Sequence, residues 1–87
     1  MRQFCKDVIE FLESQYNDGY EYNVEYFRSL ESPDEIEIRV KIGHGFVVRI
    51  TSTGMNHIYS LYRMGEFCKE GDQYLWQKEL IEAIEGS

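Results

Sequence analysis

Residues 35–52, EIEIRVKIGHGFVVRITS, constrain this chain more than any other segment. Ile36, Ile38, Val40 and Ile42 alternate with Glu35, Glu37, Arg39 and Lys41, the period-two pattern of a strand with one dry face and one wet face. Gly43-His44-Gly45 supplies the turn, because glycine reaches positive φ without steric cost. Beyond it Phe46, Val48 and Ile50 point inward, and Val47, Arg49 and Thr51 point outward.

The preceding residues extend the pattern. Tyr20, Tyr22, Val24 and Tyr26 fall on one face of a strand, and Glu21, Asn23 and Glu25 on the other. Pairing Tyr26 with Ile38 sets Val24 against Val40 and Tyr22 against Ile42. Pairing Ile42 with Phe46 across the turn sets Val40 against Val48 and Ile38 against Ile50. Core-face residues meet core-face residues throughout, and a slip of one residue would destroy this agreement. The same register puts Glu25 opposite Arg39, Asn23 opposite Lys41, and Arg39 opposite Arg49, with Glu25 and Glu37 near enough to relieve the arginine pair.

Helices are expected on either side of these strands. Over residues 3–16, Phe4, Cys5, Val8, Ile9, Leu12 and Tyr16 recur at helical spacing, and Asn17-Asp18-Gly19 is a stop signal. After the strands, the spacing of Met55, Ile58, Tyr59 and Tyr62 predicts a second helix, capped from Thr51-Ser52-Thr53-Gly54 and broken at Gly65 or Gly71. Asp72 is a candidate cap for a last helix with a stripe of Trp76, Leu80, Ala83 and Ile84. The expectation is a single α+β domain over 1–87. It is a three-stranded antiparallel β-meander with helices packed on one face, in the order α-β-β-β-α-α.

Charge narrows the partners. Sixteen acids against nine Lys and Arg give a net charge of −7, a poor match for direct contact with nucleic acid or an anionic membrane, both of which need clustered cations. The excess lies at the two ends: residues 1–30 and 54–87 each hold six acids to three bases. No apolar run approaches the roughly 20 residues of a membrane span. The N-terminal MRQFCKDVIEFL interleaves charge with apolar residues, unlike a secretory signal. Two distant cysteines, Cys5 and Cys68, outside any CxxC pair, fit reduced thiols packed as small hydrophobes in a cytoplasmic protein.

Chemistry is sparse. No nucleophile elbow, phosphate-binding glycine loop or HExxH motif is present. Cys5, His44, His57 and Cys68 have the ligand types of a zinc site, but no two lie within ten residues of each other, whereas structural zinc sites draw their ligands from close pairs. His44 reads as a turn residue and His57 as a boundary residue on the first turn of the second helix. No catalytic, metal or cofactor residue is expected.

What remains is surface. Glu21, Glu25, Glu35 and Glu37 line the wet face of the sheet. Successive residues on such a face lie about 6.8 Å apart, close to the phosphate spacing along a nucleic-acid strand. Glu79, Glu82 and Glu85 form a second acidic row on the last helix. Tyr59 and Tyr62 are interface candidates on the helix over 55–62, since tyrosine favours positions with a dry ring and a wet hydroxyl. These nine residues are the candidate partner-binding set.

The α-β-β-β-α portion is similar to the double-stranded-RNA-binding fold. The lysines with which that family grips phosphate at the start of its final helix are absent: Asp72, or Thr53-Gly54-Met55, stands there instead. Size, acidity and order of elements over the whole chain also resemble small phage-encoded anti-CRISPR proteins. That resemblance implies a non-enzymatic inhibitor whose carboxylates occupy the basic, nucleic-acid-binding surface of a protein such as a CRISPR effector. The alternative is a homodimeric adaptor or subunit that uses the aromatic strand edge at Tyr20–Tyr26, or the helix over 55–62, as its interface.

Overall fold

The computed structural model of the chain describes residues 3–16, 22–28, 36–53 and 56–86. In order, these form helix α1 (Gln3–Tyr16), strands β1 (Tyr22–Arg28), β2 (Ile36–Gly43), β3 (Phe46–Thr53), β4 (Asn56–Arg63) and β5 (Glu66–Asp72), and helix α2 (Trp76–Glu85). The class is α+β. The strands make one antiparallel sheet in the order β1-β2-β3-β4-β5, and both helices contribute to a core on one of its faces.

The central register follows the alternation. Tyr22, Val24 and Tyr26 oppose Ile42, Val40 and Ile38, and Val40 and Ile38 oppose Val48 and Ile50. One pairing differs. Phe46 sits opposite Gly43, because the ladder shifts between Lys41 and Gly43 and leaves Ile42 in a bulge. The turn is therefore the two-residue loop His44-Gly45, with φ of 54° and 81°. Positive φ at both central residues matches the twist of the flanking strands.

The expected helix over 55–62 is instead β4, and it pairs with a fifth strand. Its burial has period two: Tyr59 and Leu61 are fully buried, while Ile58, Ser60 and Tyr62 look outward. The spacing of Met55, Ile58, Tyr59 and Tyr62 fits a helix as well as a strand when the window is short. β3 decides between them, because its free edge receives β4 with Ile50 opposite Tyr59 and Val48 opposite Leu61. Met64-Gly65 closes the β4–β5 hairpin with φ of 52° and 82°, a second two-residue loop of the same kind. Thr51, Ser52 and Thr53 accordingly continue β3 and cap no helix. Among the described residues the sheet has five strands and two helices accompany it, so the order is α-β-β-β-β-β-α.

The core joins Phe4, Cys5, Val8 and Leu12 of α1, Leu80 and Ile84 of α2, and the inward residues of β2, β3 and β4. Each fully buried Leu, Ile or Val contributes on the order of 1.5–3 kcal/mol of burial. Trp76 wedges between the helices, its ring edge-on to Phe4 at 5.9 Å and to Phe11 at 5.3 Å. Asp72 does not cap α2. It ends β5 and accepts a 2.9 Å bond from Tyr74 N, three residues before Leu75, which begins the helix in the left-handed region at φ 56°. Cys5 is buried as expected, but Cys68 lies exposed on β5, at the register shift that leaves it out of the ladder with β4. Expectations for Tyr20, Glu21, Glu35 and the stop signal at 17–19 fall outside the described residues.

Candidate functional site

The outward face of the sheet carries no helix among the described residues, and strand pairing arranges its side chains in rows. One row runs Glu25, Arg39, Arg49, Ser60, Glu70; beside it runs Phe27, Glu37, Thr51, Ile58, Asp72. The centre of this face is cationic. Glu37 lies between Arg39, whose Nε is 3.5 Å away, and Arg49, with which it makes a tight ion pair. Glu25 holds Lys41 Nζ at 3.0 Å and accepts a 3.3 Å bond from Asn23 Nδ2. Glu25 and Glu37 are thus engaged by neighbouring cations, which relieves the repulsion between the facing arginines.

Aromatic rings complete this layer. The Arg39 guanidinium lies 4.4 Å from the Phe27 ring centroid, and that of Arg49 lies 5.6 Å from Tyr62. Arg49 Nη1 also donates to the Tyr62 hydroxyl at 3.2 Å. Hydrogen bonding to Glu37, above all, raises the Arg49 pKa and fixes its charge. Tyr62 in turn meets Phe67 of β5 at 5.8 Å, nearly edge-on. Tyr62 therefore sits on the open face, half-buried, as part of an arginine–aromatic layer.

Tyr59 does not. Its place on β4 turns it to the core, where its exposure is 0%, so it is withdrawn as a surface contact. Its hydroxyl donates to Glu79 Oε2 at 2.8 Å, and Lys69 Nζ stands 3.8 Å from the same oxygen. Glu79 thus turns inward and leaves the acidic row, while Glu82 and Glu85 remain exposed on α2. Burial, then the bond to Glu79, raises the Tyr59 pKa far above the usual phenol range.

The helical layer is the acidic side of the molecule. α1 and α2 together carry Asp7, Glu10, Glu13, Glu79, Glu82 and Glu85 against only Lys6 and Lys78. Glu10, Glu13, Glu82 and Glu85 are exposed, and among the described residues none has a cationic partner. Between the helices lies an open groove of about 410 Å³ lined by Asp7, Glu10, Phe11, Ser14, Trp76 and Gln77. The sequence offered Glu10 and Glu13 as part of an amphipathic pattern. Packing sets Glu10 at the groove beside Trp76 and Gln77 of α2, the helix on which Glu82 and Glu85 are exposed. The field of this surface reaches the tyrosines. Tyr16 and Tyr22 have raised pKa values, chiefly through burial, with further contributions from Glu85 and from Glu13 respectively.

One chain of groups has the look of a nucleophile with a base. Cys5 Sγ lies 3.4 Å from Ser52 Oγ, and Ser52 Oγ lies 3.0 Å from His57 Nδ1. Cys5 and Ser52 are both fully buried, and the Phe4 ring stacks against His57 at 5.6 Å. No substrate reaches Ser52 without opening the core. The chain instead satisfies three polar groups where α1 meets the β3–β4 end of the sheet. Among the described residues no group of three or more His, Cys, Asp or Glu is placed to hold a metal ion, and no helix is long and apolar enough to cross a membrane.

No protein-family model, no curated protein and no solved structure matches this chain.

Proposed function

We propose that this chain is a small, non-enzymatic binding protein that sets its acidic helical layer on a basic surface of another protein. The partner class is a nucleic-acid-binding protein, and the effect of binding is inhibition by occupation of the groove built for phosphates. A CRISPR effector is the partner that the resemblance to anti-CRISPR proteins implies. The observation that carries this reading is the separation of charge across the sheet. The central strands gather Arg39, Lys41 and Arg49 on one side, whereas the helices hold Glu10, Glu13, Glu82 and Glu85 on the other, exposed and, among the described residues, without cationic partners. Carboxylates already neutralised within the protein add little to a partner's field; unneutralised ones steer association and set its salt dependence. The contact residues are thus Glu82 and Glu85 with Glu10 and Glu13, in preference to Glu25 and Glu37. Two free cysteines suit a reducing compartment, and the cytoplasm is the setting proposed.

The test is retention of basic proteins from a bacterial lysate on the immobilised chain, eluted by a salt gradient, followed by a nuclease or nucleic-acid-binding assay on what elutes. A nucleic-acid-binding protein released at moderate salt, inhibited by the chain, and not retained by a variant with Glu10, Glu13, Glu82 and Glu85 changed to Lys supports the reading. Equal retention by that variant overturns it.

A further inference from the structure

The two edges of the sheet are built differently. β5 is guarded against pairing. Its ladder with β4 shifts between Leu61 and Tyr62, so that Leu61 opposes Lys69 while Tyr62 opposes Phe67, and Cys68 is left over. It also carries Glu66, Lys69, Glu70 and Asp72 in seven residues and a glycine at position 71. A bulge, charged side chains and an acidic balance are the devices by which natural sheets block association at an edge. β1 has no bulge and no acidic balance, since its two charged residues, Glu25 and Arg28, cancel. It pairs with β2 through seven consecutive residues without a shift, and its one acid, Glu25, is already held by Lys41. Among the described residues no strand lies on its outer side.

β1 also exposes aromatic surface on both faces. Phe27 is 39% exposed on the open side; Tyr26, on the helix side, is 60% exposed. Tyr26 opposes Ile38, which is fully buried; Tyr22 and Val24 pack against the core and the Tyr22 hydroxyl donates to Ile9 O of α1, so the helical layer covers one end of β1 and leaves Tyr26 uncovered at the other.

We propose that β1 is a homodimer interface, pairing antiparallel with β1 of a second copy about a two-fold axis at Val24 and perpendicular to the sheet. Charge selects the register. An axis at Glu25 would set two carboxylates face to face, and an axis at Tyr26 would set Glu25 against the Phe27 ring. Within Tyr22–Tyr26, an axis at Val24 sets Val24 against Val24, Tyr22 against Tyr26 twice, and the Asn23 amide against the Glu25 carboxylate twice, and it leaves Phe27 and Arg28 beyond the paired residues. Charge also selects the edge. For a chain of net charge −7, self-association is least opposed where the local field is weakest, and β5 and both helices are acidic whereas β1 is not. The dimer has one continuous ten-stranded sheet with all four helices on one side. The outer faces of the helices stay open, so the interface is independent of the binding function proposed above.

Sedimentation of the full chain from micromolar to millimolar concentration tests this. The mass rises from 10.4 kDa toward twice that value, Tyr26→Lys holds the protein at the monomer mass, and Phe67→Lys on β5 leaves the dimer intact. Circular dichroism confirms that each variant is folded. Cross-linking reads the register: in a Cys68→Ser background, Val24→Cys forms an intermolecular disulfide under mild oxidation and Glu25→Cys does not, since only position 24 meets itself across the axis. A mass that stays at 10.4 kDa throughout, a dimer abolished by Phe67→Lys but not by Tyr26→Lys, or cross-linking through position 25 in place of 24 overturns the proposal.

Discussion

The hydroxyl of Tyr59 donates a 2.8 Å hydrogen bond to Oε2 of Glu79, tying the middle of β4 to the first turn of α2 over the top of β5. The ring lies in the core, and the carboxylate stands at its margin beside Lys69. Removing either partner has a different consequence. Tyr59→Phe leaves Glu79 able to hydrate and to keep Lys69, and costs about 1–1.5 kcal/mol, within the net range for an ordinary hydrogen bond. Glu79→Ala leaves a buried hydroxyl without an acceptor and costs more, about 2–3 kcal/mol. Urea unfolding of the two variants and their double mutant gives the order and the coupling.

Gly71 is the floor beneath this contact. A Cβ there would stand 2.6 Å from Cε1 and from the hydroxyl of Tyr59, and 2.8 Å from Oε2 of Glu79. Gly71→Ala therefore destabilises the fold by about 1–3 kcal/mol, as overpacking does. A smaller residue at 59 restores the space: in Tyr59→Leu the added cost of Gly71→Ala falls below about 0.5 kcal/mol, a non-additivity that urea titration of the four proteins measures.

High pH unfolds the protein through its tyrosines. Tyr59, Tyr22 and Tyr16 all have folded-state pKa values raised above the ordinary 10.0, so the folded chain binds more protons than the unfolded chain once the pH passes that value. Their contribution is fully present below the unfolded pKa and is lost as pH rises through the folded ones. Stability is accordingly flat through neutrality with respect to these groups and declines above about pH 10. The last part of the tyrosinate absorbance change coincides with the loss of the circular dichroism signal. In Tyr59→Phe the decline is shallower.

Glu37 keeps the open face of the sheet together. It sits between Arg39 and Arg49, which oppose each other across β2 and β3. Glu37→Gln leaves two facing guanidinium groups without their shared counter-charge and costs about 0.5–1 kcal/mol at low ionic strength. Added salt recovers much of that loss, because the repulsion is partly exposed and therefore screened. Thermal melts at two salt concentrations show the variant gaining more from salt than the parent.

The two thiols separate by accessibility. Cys68 is exposed and Cys5 has 0% exposure on the buried face of α1. A colorimetric thiol reagent titrates one equivalent at once in the native protein, and the second appears only with denaturant. Cys68→Ser abolishes the fast phase.

The sequence by itself determined the elements whose pattern is local and whose signals agree. The alternation at 36–50 gave β2, β3 and their register, apart from the single bulge at Ile42. The helical repeat at Phe4, Cys5, Val8 and Leu12 gave the buried face of α1. In both cases a wrong period or a slipped register would expose the whole apolar set, so the pattern admits one solution. Residues 55–72 had no such uniqueness. Ile58, Tyr59, Leu61 and Tyr62 satisfy a helix and a strand about equally, and Met64-Gly65 is a turn only if the flanking residues are strands. The free edge of β3 settled it, with Ile50 and Val48 waiting for Tyr59 and Leu61.

The acidic candidates divided for a similar reason. Sequence spacing places Glu79, Glu82 and Glu85 on one row, and Glu25 and Glu37 on one face, but it carries no information about what stands opposite. Glu37 meets Arg49 across a strand pair, and Glu79 meets Tyr59 across twenty residues of chain. These contacts exist only once strands and helices are assembled. Tertiary structure therefore decided which carboxylates are neutralised inside the protein and which face outward. The physical reason is that a charge's availability depends on its nearest neighbours in space, and those are set by long-range packing.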